Sequence, residues 1–150
     1  MQFIKLCVML LTACFLGIGC LSGCASSGAN IPVAAMPDGE SFSGLWRTNF
    51  GDMKLTQKAD GTVNGTFSYK TGGEITGKVE GGVMKFSWIQ PGDFQVGRRD
   101  VSGHGYLVIT INESEDETEC KGEWGYADNY TGGGTWFGTK AKEIYRKQDL

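Results

Sequence analysis

Beyond its first 24 residues the chain holds one histidine and one cysteine, which leaves little for acid–base or nucleophilic chemistry. His104 stands in Ser102-Gly103-His104-Gly105, ahead of a strong strand pattern. A general base must reach the proton it takes and is normally oriented by a second polar group. A triad or a histidine-rich metal site would rest here on a single imidazole, and an exposed loop position is the plainer reading. Cys120 alternates onto the same face as Trp124. With no neighbouring histidine its thiol has no evident activation, so a small buried core residue is expected. The run Asn112-Glu113-Ser114-Glu115-Asp116-Glu117-Thr118-Glu119 carries the densest charge. Calcium takes several oxygen ligands of this kind, but the EF-hand spacing and its central glycine are missing. The run also falls where two strands need a turn, and it reads as a solvated turn. The expectation is a non-enzymatic chain with no metal and no cofactor.

Binding chemistry is better represented. Gln90 to Gly105 is the longest interruption of the strand pattern, and it carries Asp93, Phe94, Arg98, Arg99, Asp100 and His104. Long loops on compact β scaffolds often carry function. Arg98 and Arg99 could meet an anionic ligand or a phospholipid head group, or simply pair with Asp93 and Asp100 at the surface. The four tryptophans, Trp46, Trp88, Trp124 and Trp136, each fall within or at the end of an expected strand. Together they could wall a cavity for a flat or apolar ligand, or fill the core as a second apolar layer. These six residues are the candidate ligand-binding set.

The elements that must position them are strands. Twenty-four glycines and only three prolines punctuate the chain, and no helical stripe is present. The spacing predicts strands over Gly44–Phe50 and Asp52–Lys58, then an Asp60-Gly61 hairpin into Thr62–Tyr69. Glu74–Glu80 and Val83–Gln90 flank Gly81-Gly82, and Tyr106–Asn112, Thr118–Tyr126 and Gly134–Lys140 follow, the last reaching towards Tyr145. Period-two alternation places Val63 and Phe67, Ile75 and Val79, Met84, Phe86 and Trp88, and Cys120 and Trp124 on inward faces. Glycines share those faces at Gly65, Gly77 and Gly122, leaving room for a large neighbour or for sharp coiling. The fold class is all-β: an antiparallel meander of about eight short strands, as an up-and-down barrel or, alternatively, a sandwich. Eight strands enclose an interior that either fills with side chains or holds one small ligand.

Gly44-Leu45-Trp46 followed by Asn49 and Gly51 resembles the opening of avidin-like and lipocalin-like barrels. Ala59-Asp60-Gly61-Thr62-Val63-Asn64-Gly65-Thr66-Phe67 resembles the second hairpin of the avidin family. The resemblance implies an up-and-down eight-stranded barrel, closed at one end by the first-strand indole. Biotin binding does not carry over. At the positions matching the avidin pattern, Asp52 replaces a serine donor and Phe67 lacks the tyrosine hydroxyl. A buried polar head left without partners costs about 1–3 kcal/mol per missing bond.

The N-terminus reads as an address. Lys5 precedes an apolar stretch from Leu6 to Leu21, shorter and richer in glycine than a comfortable membrane span of about 20 residues. Leu21-Ser22-Gly23-Cys24 resembles the bacterial lipobox, which implies cleavage before an acylated Cys24. The expected organisation is a signal peptide over 1–23, a flexible tether over 24–40 and a β-barrel-like domain over 41–150. A flexible chain of that tether's length spans about 20–25 Å. Cys7, Cys14 and Cys20 leave with the signal, so Cys120 remains as a lone thiol and no internal disulfide can form. Fourteen basic residues against seventeen acidic ones supply no basic face for nucleic acid. Ala25 after the cysteine leans towards the outer membrane if the cell is diderm. The expectation is a surface lipoprotein held to a membrane through Cys24, binding a small apolar or aromatic ligand. The alternative is a filled envelope module that meets a protein partner through its loops.

Overall fold

The computed structural model describes residues 30–93 and 96–142. The signal segment, Cys24, the first part of the tether, Phe94 and the run towards Tyr145 lie outside those residues. Within them alternation along each strand decides which side chains meet inside. The strands are β1 Gly44–Thr48, β2 Gly51–Gln57, β3 Thr62–Phe67, β4 Gly73–Glu80, β5 Val83–Gln90, β6 Val101–Asn112, β7 Glu117–Tyr126 and β8 Gly134–Lys140. Each pairs antiparallel with the next, and β8 returns to β1 through Trp46↔Lys140 and Thr48↔Gly138. The result is a closed, all-β, up-and-down barrel, as the strand spacing predicts, with no open sheet edge. The sandwich alternative is excluded by that closure.

Two expectations need correction. β6 begins at Val101 rather than Tyr106, because Val101 to Gly105 pairs with the far half of β5, from Gln90↔Val101 to Phe86↔Gly105. Glycines at 103 and 105 hid this stretch from a reading based on side-chain alternation. The β5–β6 connection is correspondingly shorter, and His104 is a strand residue rather than a loop residue. The segment assigned to the tether also differs from a free linker near its end. Gly82 donates its N–H to Ala34 O at 2.8 Å, Met36 packs on the core, and Glu40 N donates to Pro37 O at 3.1 Å. From Ala34 onward the chain lies against the barrel.

The inward faces interlock by setting glycine beside bulk. Gly105 is flanked in register by Phe86 on β5 and Trp124 on β7. A Cβ at Gly105 would stand 2.5 Å from Phe86 Cζ and 2.8 Å from Glu123 O, so only glycine fits there. Gly122 lies between Leu107 and Trp136, and a Cβ there would meet the Tyr106 carbonyl. This close approach is what lets eight strands coil around a narrow interior.

The meander gives the barrel two ends. The β2–β3, β4–β5 and β6–β7 turns share one end with the chain entering β1, and that end is sealed. Phe42 and Trp46 are wholly buried there, and the Trp46 indole N–H donates to Phe42 O at 2.9 Å. Phe42 N donates to Gln57 Oε1 at 2.9 Å, and Gln57 N donates to Ser43 Oγ at 2.8 Å. Lys140 Nζ lies 5.6 Å from the centroid of the Trp46 ring and donates to Glu40 Oε2 at 2.9 Å. Burial works to raise the Glu40 carboxyl, but hydrogen bonds from Lys140 and Thr118, with the Lys140 charge, hold it below its ordinary value. Met53, Leu55, Val63, Ile75, Met84, Leu107, Ile109 and Cys120 fill the interior above this plug.

Candidate functional site

The opposite end carries the β1–β2, β3–β4, β5–β6 and β7–β8 connections, and there the packed core stops short of the rim. A cavity of about 540 Å³ opens between them. Its wall is Phe50, Phe67, Trp88, Trp124 and Trp136, and its mouth includes Tyr69, Lys70, Arg98, Arg99 and Tyr126. That volume falls within the range of small-molecule pockets, roughly 300–1,000 Å³.

Each wall residue is placed by simple local rules. Trp88, Trp124 and Trp136 are inward positions near the open ends of β5, β7 and β8, so closure brings their indoles together. Trp88 and Trp124 meet edge to edge-on face at 5.5 Å, and Tyr126 caps both at 5.9 and 5.1 Å. Phe50 sits in the tight turn between β1 and β2, where Gly51 takes a φ of +80°. Thr48 Oγ1 donates to Gly51 O at 2.7 Å and accepts the Phe50 N–H at 3.0 Å, which fixes the turn. The Phe50 ring is thereby carried against Trp136 at 4.9 Å, Tyr69 at 5.2 Å and Trp124 at 5.6 Å. Such edge-to-face pairs add about 0.5–1.5 kcal/mol each beyond the area they bury.

The indole N–H groups of Trp88, Trp124 and Trp136 are all buried without a hydrogen-bond partner among the described residues. A buried unpaired donor costs about 1–3 kcal/mol, and folded proteins keep few of them. Three in one wall mark this as the polar deficit of the interior. Edge-to-face neighbours give such donors only weak N–H···π contact.

The rim is held by loop-to-loop hydrogen bonds. Gln90 Nε2 donates to Tyr69 O at 2.6 Å and Thr71 Oγ1 to Pro91 O at 2.7 Å, tying the β5–β6 connection to the β3–β4 turn. Gly92 N donates to Asp100 Oδ1 at 2.8 Å and Arg98 N to Asp93 O at 2.9 Å. Asp100 therefore serves a backbone amide. Ion pairs among the described residues include Arg47–Asp52, Lys85–Glu80, Lys140–Glu40 and Lys142–Asp116.

Of the six candidate binding residues, five converge on the cavity: Trp88, Trp124, Trp136, Arg98 and Arg99. Trp46 does not. It stands at the middle of the short β1 with its indole turned onto Phe42 ahead of the strand, so it plugs the barrel rather than lining the hollow. Sequence reasoning missed Phe50, Tyr69, Lys70 and Tyr126 as lining residues. Their shared feature is position at or beyond the same end of alternate hairpins, which the strand order could have revealed.

The remaining reactive groups point elsewhere. His104 is on the outer face of β6, where its ring Nδ1 is 2.6 Å from Ala127 O. A carbonyl only accepts, so Nδ1 carries the proton. His104, Glu74, Ser87 and Asp128 border a separate outer hollow of about 300 Å³. Asp52 is also outward, paired with Arg47 at 3.3 Å. Cys120 is buried in the core, and burial pushes its thiol up to about 12, which keeps it protonated and unreactive at neutral pH. Glu115, Glu117 and Glu119 bring carboxylate oxygens within 4.8 Å of one another at the sealed end. Asn112 Nδ2 donates to Glu119 Oε1 at 2.9 Å, as in an ordinary polar turn.

Fold and site together define a class: an eight-stranded up-and-down β-barrel, sealed at one end and hollow at the other, with an aromatic wall. A scan against protein families, a search of curated proteins and a search of solved structures each found no match.

Proposed function

We propose that this chain is a non-enzymatic, small-ligand-binding barrel of a bacterial cell envelope, held to a membrane by acylation at Cys24. The observation that carries the binding half is the aromatic-walled cavity of about 540 Å³ around Trp88, Trp124 and Trp136. A well-packed domain normally closes such a space, because unfilled interior forfeits dispersion contacts. The anchor rests on the Leu21-Ser22-Gly23-Cys24 quartet after an apolar leader. Ala34 and Ala35 lie beside Gly81 and Gly82 at the sealed end, so the chain reaches the barrel at the end opposite the cavity mouth.

Tryptophan fluorescence tests the binding half. Titration with fatty acids, haem-like compounds and aromatic compounds should quench or shift emission for at least one class. A flat response to all of them refutes the carrier reading. For the anchor, Cys24→Ser should release the protein from the membrane fraction, and retention of the variant there refutes acylation at that position.

A further inference from the structure

The charge at the mouth narrows the ligand class, an inference that rests on the proposed binding function. The chain as a whole is acidic, with a net charge of −3. Its cavity lining runs the other way. Among the described residues that lining holds Lys70, Arg98 and Arg99 against a single carboxylate, Asp93. The two loops bearing the cations are fastened to each other, as the Thr71–Pro91 and Gln90–Tyr69 bonds show. Asp100, the acidic neighbour of Arg99, has an oxygen engaged by the Gly92 amide. Lys70 Nζ lies 4.9 Å from the centroid of the Tyr69 ring, a contact that orients the ammonium without neutralising it. Three cations thus border an apolar, tryptophan-walled hollow.

We propose that the cavity takes an anionic amphiphile: an aromatic or acyl body among Trp88, Trp124 and Trp136, and an anionic head at Arg98, Arg99 and Lys70. Guanidinium groups match planar anions such as carboxylates in a two-bond fork, and this geometry is stronger and more specific than a point contact. The apolar wall supplies affinity for the body and the cationic rim selects the head. The occupant is a free molecule inside the barrel rather than the surface of a bilayer.

The test uses a matched pair of probes, 8-anilinonaphthalene-1-sulfonate and N-phenyl-1-naphthylamine, which share a ring system and differ by the sulfonate. Among the described residues the barrel and its core lie between Met36 and Lys140, so the lipid-free chain from Ala25 onward is the unit to use. At about 0.15 M salt, where long-range attraction is screened, the sulfonate should bind at least tenfold more tightly, a difference of about 1.4 kcal/mol. The double variant Arg98→Gln, Arg99→Gln should lose most of that preference, its affinity for the sulfonate falling to within about threefold of its own affinity for the neutral probe. Dodecanoate should displace the sulfonate far better than dodecanol. Equal affinity for the two probes, or a preference that survives the double variant, overturns the inference while leaving the carrier function intact. No binding of either probe, with no fluorescence response to any other class, removes the carrier function itself. Uptake on phosphatidylglycerol but not phosphatidylcholine vesicles that the sulfonate fails to compete would assign the cations to a lipid surface and overturn the inference.

Discussion

Phe42→Ala separates packing from hydrogen bonding at the sealed end of the barrel. Phe42 precedes β1, is wholly buried, and sets its ring centroid 6.2 Å from that of Trp46. Its two specific hydrogen bonds use backbone atoms only, the N–H to Gln57 Oε1 and the carbonyl to the Trp46 indole. Alanine keeps both and removes the ring. The expected loss is therefore that of a buried aromatic truncation, about 3–5 kcal/mol. Against a total stability of about 5–15 kcal/mol for a domain of this size, that is at least a fifth of the whole. At about 3–5 °C per kcal/mol the melting temperature should fall by roughly 10–25 °C. Urea unfolding followed by tryptophan emission measures the change as a lower midpoint at an unaltered slope. Val33→Ala is the control: Val33 is 99% exposed, and its loss should stay within about 0.5 kcal/mol. The cavity lies at the other end, so probe affinity should be unchanged while the variant is folded. A loss under 1 kcal/mol would refute the view that this ring plugs the barrel. A shift in probe affinity would refute the independence of the two ends.

Further outcomes test the interior and the mouth. Gly105→Val places a branched side chain against Phe86 and the Glu123 carbonyl, and should destabilise by about 1–3 kcal/mol in thermal or urea unfolding. Trp88→Leu should weaken binding of the naphthyl probes at least tenfold, whereas Trp46→Phe, at the sealed end, should leave it unchanged. Cys120 has a thiol raised from 9.0 to about 12 in the folded chain. Above pH 9 the unfolded chain therefore loses a proton that the folded chain keeps. Stability should fall with rising pH across 9 to 12, by up to about 1.4 kcal/mol per pH unit. Cys120→Ala should flatten that slope relative to the parent chain, and an identical slope in the variant would reject the assignment.

The strand order was legible because its signals are local. Alternation at Met84, Phe86 and Trp88 and the Asp60-Gly61 turn each lie within a few residues of chain, and the structure uses them as read. Where side chains vanish the signal vanishes too. Gly103 and Gly105 gave β6 no apolar rhythm, so its first half was hidden and His104 was placed in a loop. Phe42 and Met36 were hidden for a related reason, since neither lies in an alternating run.

The sequence by itself determined an all-β meander, the number of strands and the inward residues of most of them, and it named five of the residues that line the cavity. Only the tertiary structure decided that the barrel closes through β1 and β8, which end is sealed and which is open. It also separated Trp46 from the other three tryptophans and joined Phe50, Tyr69, Lys70 and Tyr126 to the cavity rim. The reason is geometric. Alternation tells a side chain in from out, but height along the barrel axis depends on register and closure. Those follow from backbone pairing between strands far apart in the chain, which no window of sequence contains.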